Sequence, residues 1–441
     1  MGKKIDDEDY MIEYEKYTLD NGLTLLLHSD SETPMVTVNT LYAVGARDEN
    51  ADCTGLAHLF EHLMFGGTVR YPDYDKVVET VGGESNAFTS NDYTNYYITV
   101  PAGYLEQALD LEFDRMRGLD WSEQRLAVQQ RVVTEEYNQR YINQPYGDVM
   151  LLLRPLCFKR SPYRWCTIGA DIRHVAEASL IEVRAFFDKW YRPENAVMAL
   201  AGNFDCREAL DLVSRFAMPE SSMSGGARML PLSENAVFQY ANRIYATEPP
   251  QCGERRMEVT RDVPADALYK AYPMCGRTDA DFVVCDMISD VLSNGKSSRL
   301  YNSLVRERQL FSEISAYVLG DRGEGLFVVS GRLNDGASLE DAERALDNEL
   351  ERLAVEGVSD DDLRKVAGKY ESTFVFSHYK ASDRALALCH FEWLGHIEWV
   401  NREPELYWKV SPEDVRRVAG EMFRKKNSNV LWYRRKTERG E

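Results

Sequence analysis

The stretch Thr54-Gly-Leu-Ala-His-Leu-Phe-Glu-His-Leu-Met-Phe-Gly-Gly67 decides how the rest of the chain is read. Leu56, Leu59, Phe60, Leu63 and Met64 recur at helical spacing, and Gly66-Gly67 stops the run. Thr54 fits the N-cap position. Within this short helix His58, Glu61 and His62 stand in the order H-x-x-E-H. His58 and His62 are at i and i+4, so both imidazoles leave one face.

Two imidazoles one turn apart can share one zinc ion at about 2.0–2.1 Å from each nitrogen. Glu61, three residues past His58, lies near that face and can take a proton from a water rather than bind the metal. The order is that of the inverted zinc-peptidase motif. The alternative is an exposed helix that happens to carry three polar side chains. The apolar flanks argue against it, because they put the helix against a core where these groups need partners.

With 441 residues the chain can build two or more domains. Its formal charge of −20 argues against nucleic acid and anionic membrane surfaces as partners, and permits basic peptides as ligands. Eight cysteines are scattered without a C-x-x-C pair, which suggests free thiols in a reducing compartment. The first residues lack an apolar segment, and no apolar run is long enough to span a bilayer. The expectation is a cytoplasmic protein, or a periplasmic one if a signal peptide was removed.

Working outward, Tyr17–His28 reads as a hairpin around Asp20-Asn21-Gly22, and Met35–Val44 as a further strand. A helix around Asp73–Val81 ends at Gly82-Gly83. Ser85–Ser90 and Tyr93–Val100 read as strands joined by a tight turn. Their small, polar residues near a metal site make Asn86, Ala87 and Phe88 candidates for holding an extended peptide by its main chain. Helices are expected over Pro101–Leu119 and from Ser122 to Tyr141, the latter carrying Glu135 and Glu136, and a strand over Asn195–Gly202. His28 reads as structural and His174 as a surface residue. So do His378, His390 and His396 read as structural, having no ligand-like spacing.

Pro, Ser and Gly cluster between 218 and 250, and the order strand, helix, strand pair, helices, strand then recurs without a second H-x-x-E-H. The expected class is α+β. A zinc-binding domain would span 1–220, a linker 221–250, and a metal-free domain of the same fold 251–441.

Over nearly its whole length the chain resembles the pitrilysin/insulinase family of zinc metallopeptidases, in particular the half-length branch that is bacterial or similar to the mitochondrial processing peptidase. The resemblance rests on Leu19-Asp-Asn-Gly-Leu23, Gly45-Ala-Arg-Asp-Glu49, the H-x-x-E-H segment, Ser85-Asn-Ala-Phe-Thr89, Tyr163-Arg-Trp165, Tyr191-x-Pro-x-Asn-Ala196 and Ser297-Ser-Arg-Leu300. It implies two repeated α/β-sandwich domains and a zinc endopeptidase working as a dimer that encloses a chamber. It also implies a third ligand about 75 residues past the second histidine. Glu136 stands 74 residues past His62, and the resemblance prefers it to Glu135. Glu61 is then the general base. Three positions depart from the family. Gln129 replaces a glutamate seven residues before the third ligand, and Val305 and Ser312 occupy positions where an arginine and a tyrosine help hold substrate. A related chain lacking the zinc motif could supply that pair in a heterodimer. The competing function is a noncatalytic subunit, or a peptide-binding module with structural zinc.

Overall fold

The computed structural model describes residues 11–217, 243 and 245–436. The N-terminal ten residues, and most of the expected linker, lie outside the described residues; 245–250 carry no regular structure.

Six strands form the first sheet: β1 (Glu15–Thr18), β2 (Thr24–Ser29), β3 (Met35–Tyr42), β4 (Glu84–Thr89), β5 (Thr94–Pro101) and β6 (Ala196–Gly202). Five form the second: β7 (Arg255–Arg261), β8 (Ala267–Met274), β9 (Phe311–Leu319), β10 (Gly325–Leu333) and β11 (Asn429–Arg435). The orders are β1-β2-β6-β3-β5-β4 and β7-β11-β8-β10-β9. In each sheet one pair is parallel, β2 with β6 and β7 with β11, and the rest are antiparallel. The second sheet therefore reproduces the first without β1, and the expected structural repeat is present in the strand order itself.

The helices repeat as well. The first half contributes α1 (Leu56–Leu63), α2 (Tyr74–Thr80), α3 (Leu105–Arg117), α4 (Glu123–Tyr137), α5 (Val149–Cys157), α6 (Ile172–Ala176), α7 (Leu180–Trp190) and α8 (Cys206–Ala217). The second contributes α9 (Asp281–Ser293), α10 (Leu339–Glu356), α11 (Asp360–Phe376), α12 (Ala381–Leu394), α13 (Trp399–Tyr407) and α14 (Pro412–Met422). The helices before each last strand, α7 and α14, both start with a reciprocal capping box, Ser179 with Glu182 and Ser411 with Asp414.

The domain boundaries differ from the contiguous ones expected at 220 and 251. One compact unit is Met1–Tyr137 with Cys166–Ile244 and Phe374–Arg402; the other is Asn138–Trp165 with Tyr245–Thr373 and Glu403–Glu441. The cause is burial. Leu26, Leu41, Val197 and Ala199 of the first sheet pack on Leu388, Phe391 and Trp393 of α12. Ala267, Ala271, Val328 and Leu431 of the second pack on Val149, Leu153 and Leu156 of α5. Each sheet thus has one apolar face covered by a helix from the other half of the sequence. Helices α5 and α12 occupy equivalent places in the repeat, so the exchange is reciprocal.

The opposite face of the first sheet carries the helices that build the site. Side chains alternate along a strand, so Thr40 faces α3 and donates to Glu112 at 3.0 Å, while Leu41 faces α12. No helix among the described residues is long and apolar enough to cross a membrane.

Candidate metal centre

The helix that carries the histidines is short and is fixed at its start. Gly55 precedes it with φ 89°, a left-handed conformation, and a Cβ there would lie 2.5 Å from Val175 and 2.9 Å from the Ile168 carbonyl. Thr54 does not cap the helix as expected. Its hydroxyl accepts from the Ala170 N–H at 2.8 Å and lies 2.9 Å from Nδ1 of His174. His174 is therefore a half-buried partner of the helix entry, a correction to its expected surface role.

The cap comes from Glu49 instead. Its two carboxylate oxygens accept from the N–H groups of Gly55 and Ala57, each at 2.8 Å, which satisfies donors left unpaired at a helix start. Burial pushes the Glu49 carboxyl up to about 8, while those two hydrogen bonds pull it down. Phe60, on the helix face away from the histidines, is fully buried against Phe186, Phe187 and Tyr191.

The third donor comes from α4. That helix is held by Leu126 and Val133 in the core and by Gln130, whose Nε2 donates to the carbonyls of Val175 and Ala178 at 2.9 and 2.8 Å. Glu135 is exposed, while Glu136 turns in and is half-buried. Its Oε2 lies 3.6 Å from Nε2 of His58 and 3.2 Å from Nε2 of His62. The two imidazole rings are perpendicular, with centroids 5.0 Å apart. Among the described residues, His58, His62 and Glu136 are the one group of three histidine, cysteine or acidic side chains whose ligand atoms lie within 4.8 Å of one another.

This donor set fits zinc. Tetrahedral coordination at about 2.0–2.1 Å requires ligand atoms about 3.3–3.4 Å apart, and the observed separations of 3.6 and 3.2 Å straddle that value. Three protein ligands of the two-imidazole, one-carboxylate type also leave a fourth position open, as catalytic zinc needs.

Glu61 is partly buried beside the group. Its Oε2 accepts a 2.7 Å hydrogen bond from Oγ1 of Thr89, the last residue of β4. Strand β4 ends the sheet and pairs with β5 alone. Of the three candidate substrate-holding residues, Asn86 is exposed and places Oδ1 2.8 Å from the Ala87 N–H, and Phe88 turns its ring onto Tyr93. Ala87 stands opposite Tyr96 on the metal side of the sheet.

The departures from the family pattern also have places. Gln129 lines a small cavity with Leu63, Gly66 and Trp121, at the C-terminal end of α1. Val305 packs on the core of the second unit, and the Ser312 hydroxyl donates to the Arg332 carbonyl at 3.2 Å. The remaining histidines behave structurally. His28 is buried between the Glu13 carbonyl (2.7 Å) and Arg384 (3.0 Å), and burial holds His378 down to about 4. His390 packs on Tyr93 and Trp393, and His396 stacks on Trp399.

Residues 24–149 match the family model described as insulinase (peptidase family M16), and residues 178–369 match the one described as peptidase M16 inactive domain. The zinc protease PqqE of Helicobacter pylori is 26% identical over 436 residues, 98% of this chain and 95% of the relative. The crystal structure of a protease from Helicobacter pylori superposes with a TM-score of 0.85 at 26% identity, over 96% of this chain and 100% of that one. Pitrilysin shares the fold, with a TM-score of 0.72 at 16% identity, over 96% of this chain and 45% of its own.

Proposed function

Because this chain belongs to the insulinase family of peptidases, peptidase family M16, we propose that it is a zinc-dependent endopeptidase acting on peptides or unfolded polypeptide segments. His58, His62 and Glu136 would hold the ion. When bound, zinc supplies Lewis-acid chemistry, polarising a peptide carbonyl and making a water acidic. Glu61 accepts the proton of the attacking water and returns it to the nitrogen of the leaving segment. The substrate lies extended along the edge of β4, around Asn86, Ala87 and Phe88, where main-chain pairing gives loose sequence preference. The observation that carries this reading is the convergence of three ligand atoms beside a glutamate that binds none of them but is itself held by Thr89.

The assembly part of the reading is a dimer whose two chains enclose the substrate. Val305 and Ser312 bring no cationic or phenolic group to it, which supports a partner that is a related chain without the zinc motif. Native mass spectrometry of the purified complex distinguishes this from a homodimer.

The test of the chemistry is Glu61→Gln. It should keep the fold and one zinc per chain and lose about 10²–10⁴-fold in turnover of a quenched fluorescent peptide, the usual contribution of a general base. Wild-type turnover in that variant would remove Glu61 from the reaction. Absence of turnover in the wild-type assembly would favour a noncatalytic zinc-binding subunit.

A further inference from the structure

The hydrogen bond between Thr89 and Glu61 links the strand proposed to hold the substrate with the group proposed to move its proton. We infer that Thr89 is a positioning residue for the reaction: its hydroxyl fixes the Glu61 carboxylate through Oε2, so that Oε1 is the oxygen presented to the water. The inference rests on the reading of Glu61 as the base.

The strand pattern explains why this side chain reaches. Ser85, Ala87 and Thr89 lie on one face of β4, opposite Ile98, Tyr96 and Thr94 of β5, and Asn86 and Phe88 lie on the other. Phe88 goes to Tyr93 on the α12 side, so Thr89 goes to the α1 side, where Glu61 lies. A threonine serves better than a serine for stiffness, because branching at Cβ restricts χ1.

The backbone behind Thr89 is also fixed. In the following turn the Ser90 hydroxyl accepts from the N–H groups of Asp92 and Tyr93 at 3.1 and 3.0 Å, and the Ser90 N–H donates to the Tyr93 carbonyl at 2.8 Å. Arg47 donates its N–H to the Asn91 carbonyl at 2.9 Å and pairs with Asp92 at 2.7 Å. Gly45 lies so close that a Cβ would meet the Asn91–Asp92 backbone at 2.5 Å. The segment Gly45–Glu49 therefore does two jobs: Glu49 caps the metal helix, and Gly45 and Arg47 lock the turn that places Thr89. A hydroxyl at a fixed point removes rotamers of Glu61 that turn its carboxylate away, an orientation effect on which catalysis depends steeply.

The test compares Thr89→Val, which keeps the shape and deletes the donor, with Thr89→Ser, which keeps the donor. Both are made in the full chain, zinc-loaded and in whatever assembly co-purifies. The substrate is a quenched fluorescent peptide. Expected for Thr89→Val is a fall in kcat of about ten- to a hundredfold, the loss of a hydrogen bond to a charged group, with KM within about twofold. Zinc content and the resistance of the zinc to a competing chelator should match wild type. Thr89→Ser should recover most of kcat. Added to Glu61→Gln, Thr89→Val should cost no further turnover, because the group it positions is gone.

Wild-type kcat in Thr89→Val, equal losses in the Val and Ser variants, loss of zinc, or the same loss in the Glu61→Gln background would each overturn the positioning role. If Glu61→Gln itself turns over like wild type, the reading of the base fails, and the inference with it. If only Thr89→Val is silent, the base stands and the inference alone falls.

Discussion

Two helices occupy the same place in the two repeats and do opposite things. Helix α1 lies between β3 and β4, and α9 lies between the equivalent strands β8 and β9. Helix α1 has eight residues, an apolar face against Phe186 and Tyr191, and another face bearing two imidazoles and a carboxylate. Helix α9 has thirteen residues, carries no histidine, and buries Phe282, Val283, Cys285, Met287, Ile288 and Leu292. Its only buried polar side chain is Ser289. One strand order thus supports either a helix that presents two imidazoles and a carboxylate or a core helix, and the side chains of that one connection decide which. Fold alone would not have placed the chemistry.

The repeats also share a costly feature, a charged group buried between the third-from-edge strand and the helix after the strand pair. In the first unit Arg115 is fully buried with Glu112, which also accepts from Thr40 and, at 3.3 Å, from the Tyr74 hydroxyl. Arg115 lies over the rings of Tyr96 and Tyr74 at 4.7 and 4.9 Å. In the second unit the buried Lys270 meets Asp347 and, at 3.6 Å, Glu343, which also binds Arg256 at 2.6 Å. The difference is access to water, since the Asp347 side chain is 46% exposed and that of Glu112 is 0% exposed.

This difference sets the largest expected effect. Glu112→Leu leaves a buried arginine without its carboxylate and should cost about 3–5 kcal/mol. Lys270→Met leaves Glu343 on Arg256 and Asp347 in reach of water, and should cost about 1.5–3 kcal/mol. Urea unfolding followed unit by unit through hydrogen exchange measures both. Equal costs would mean that solvent access does not separate the two networks.

A smaller effect sharpens the contrast between α1 and α9. Glu49→Gln can accept from one of the two amides at the start of α1 but sets its own N–H₂ against the other. The expected loss is about 1–3 kcal/mol, localised to the first unit, together with weaker zinc retention. Helix α9 depends less on one carboxylate, since Asp279 Oδ1 accepts only the Asp281 N–H, at 3.0 Å. Unchanged exchange protection in α1 would show that Glu49 is not what holds that helix.

Much of this was legible in the sequence. The spacing of His58, Glu61 and His62 by itself puts two imidazoles on one helix face. The Asp20-Asn21-Gly22 turn falls between β1 and β2 as expected, and the strand expected over Met35–Val44 is observed as Met35–Tyr42. Periodicity left Glu135 and Glu136 equal; the resemblance favoured Glu136, and the packing of α4 turns that residue inward.

What stayed hidden depends on partners far apart in sequence. Helices α5 and α12 were not expected as the covers of the sheets, because each finds its apolar partners in strands of the other half of the chain. Glu49 closes the segment Gly45-Ala-Arg-Asp-Glu49, but nothing local says that its carboxylate turns onto Gly55 and Ala57. The place of His174 is hidden for the same reason, since its partner Thr54 lies 120 residues earlier. The Thr89–Glu61 contact needed only alternation plus the knowledge that α1 lies over β4, and that second fact is tertiary.

The proposed zinc site of the first unit consists of His58, His62 and Glu136, with Glu135 outside it. The most direct measurement is the metal content of purified wild type, His58→Ala, Glu136→Gln and Glu135→Gln by elemental mass spectrometry after gel filtration in a weak chelator. About one zinc per chain is expected in wild type and Glu135→Gln, as a single three-ligand site requires. Little or none should remain in the other two. Zinc lost from Glu135→Gln and kept in Glu136→Gln, or a wild-type chain that retains no zinc, would contradict this ligand set.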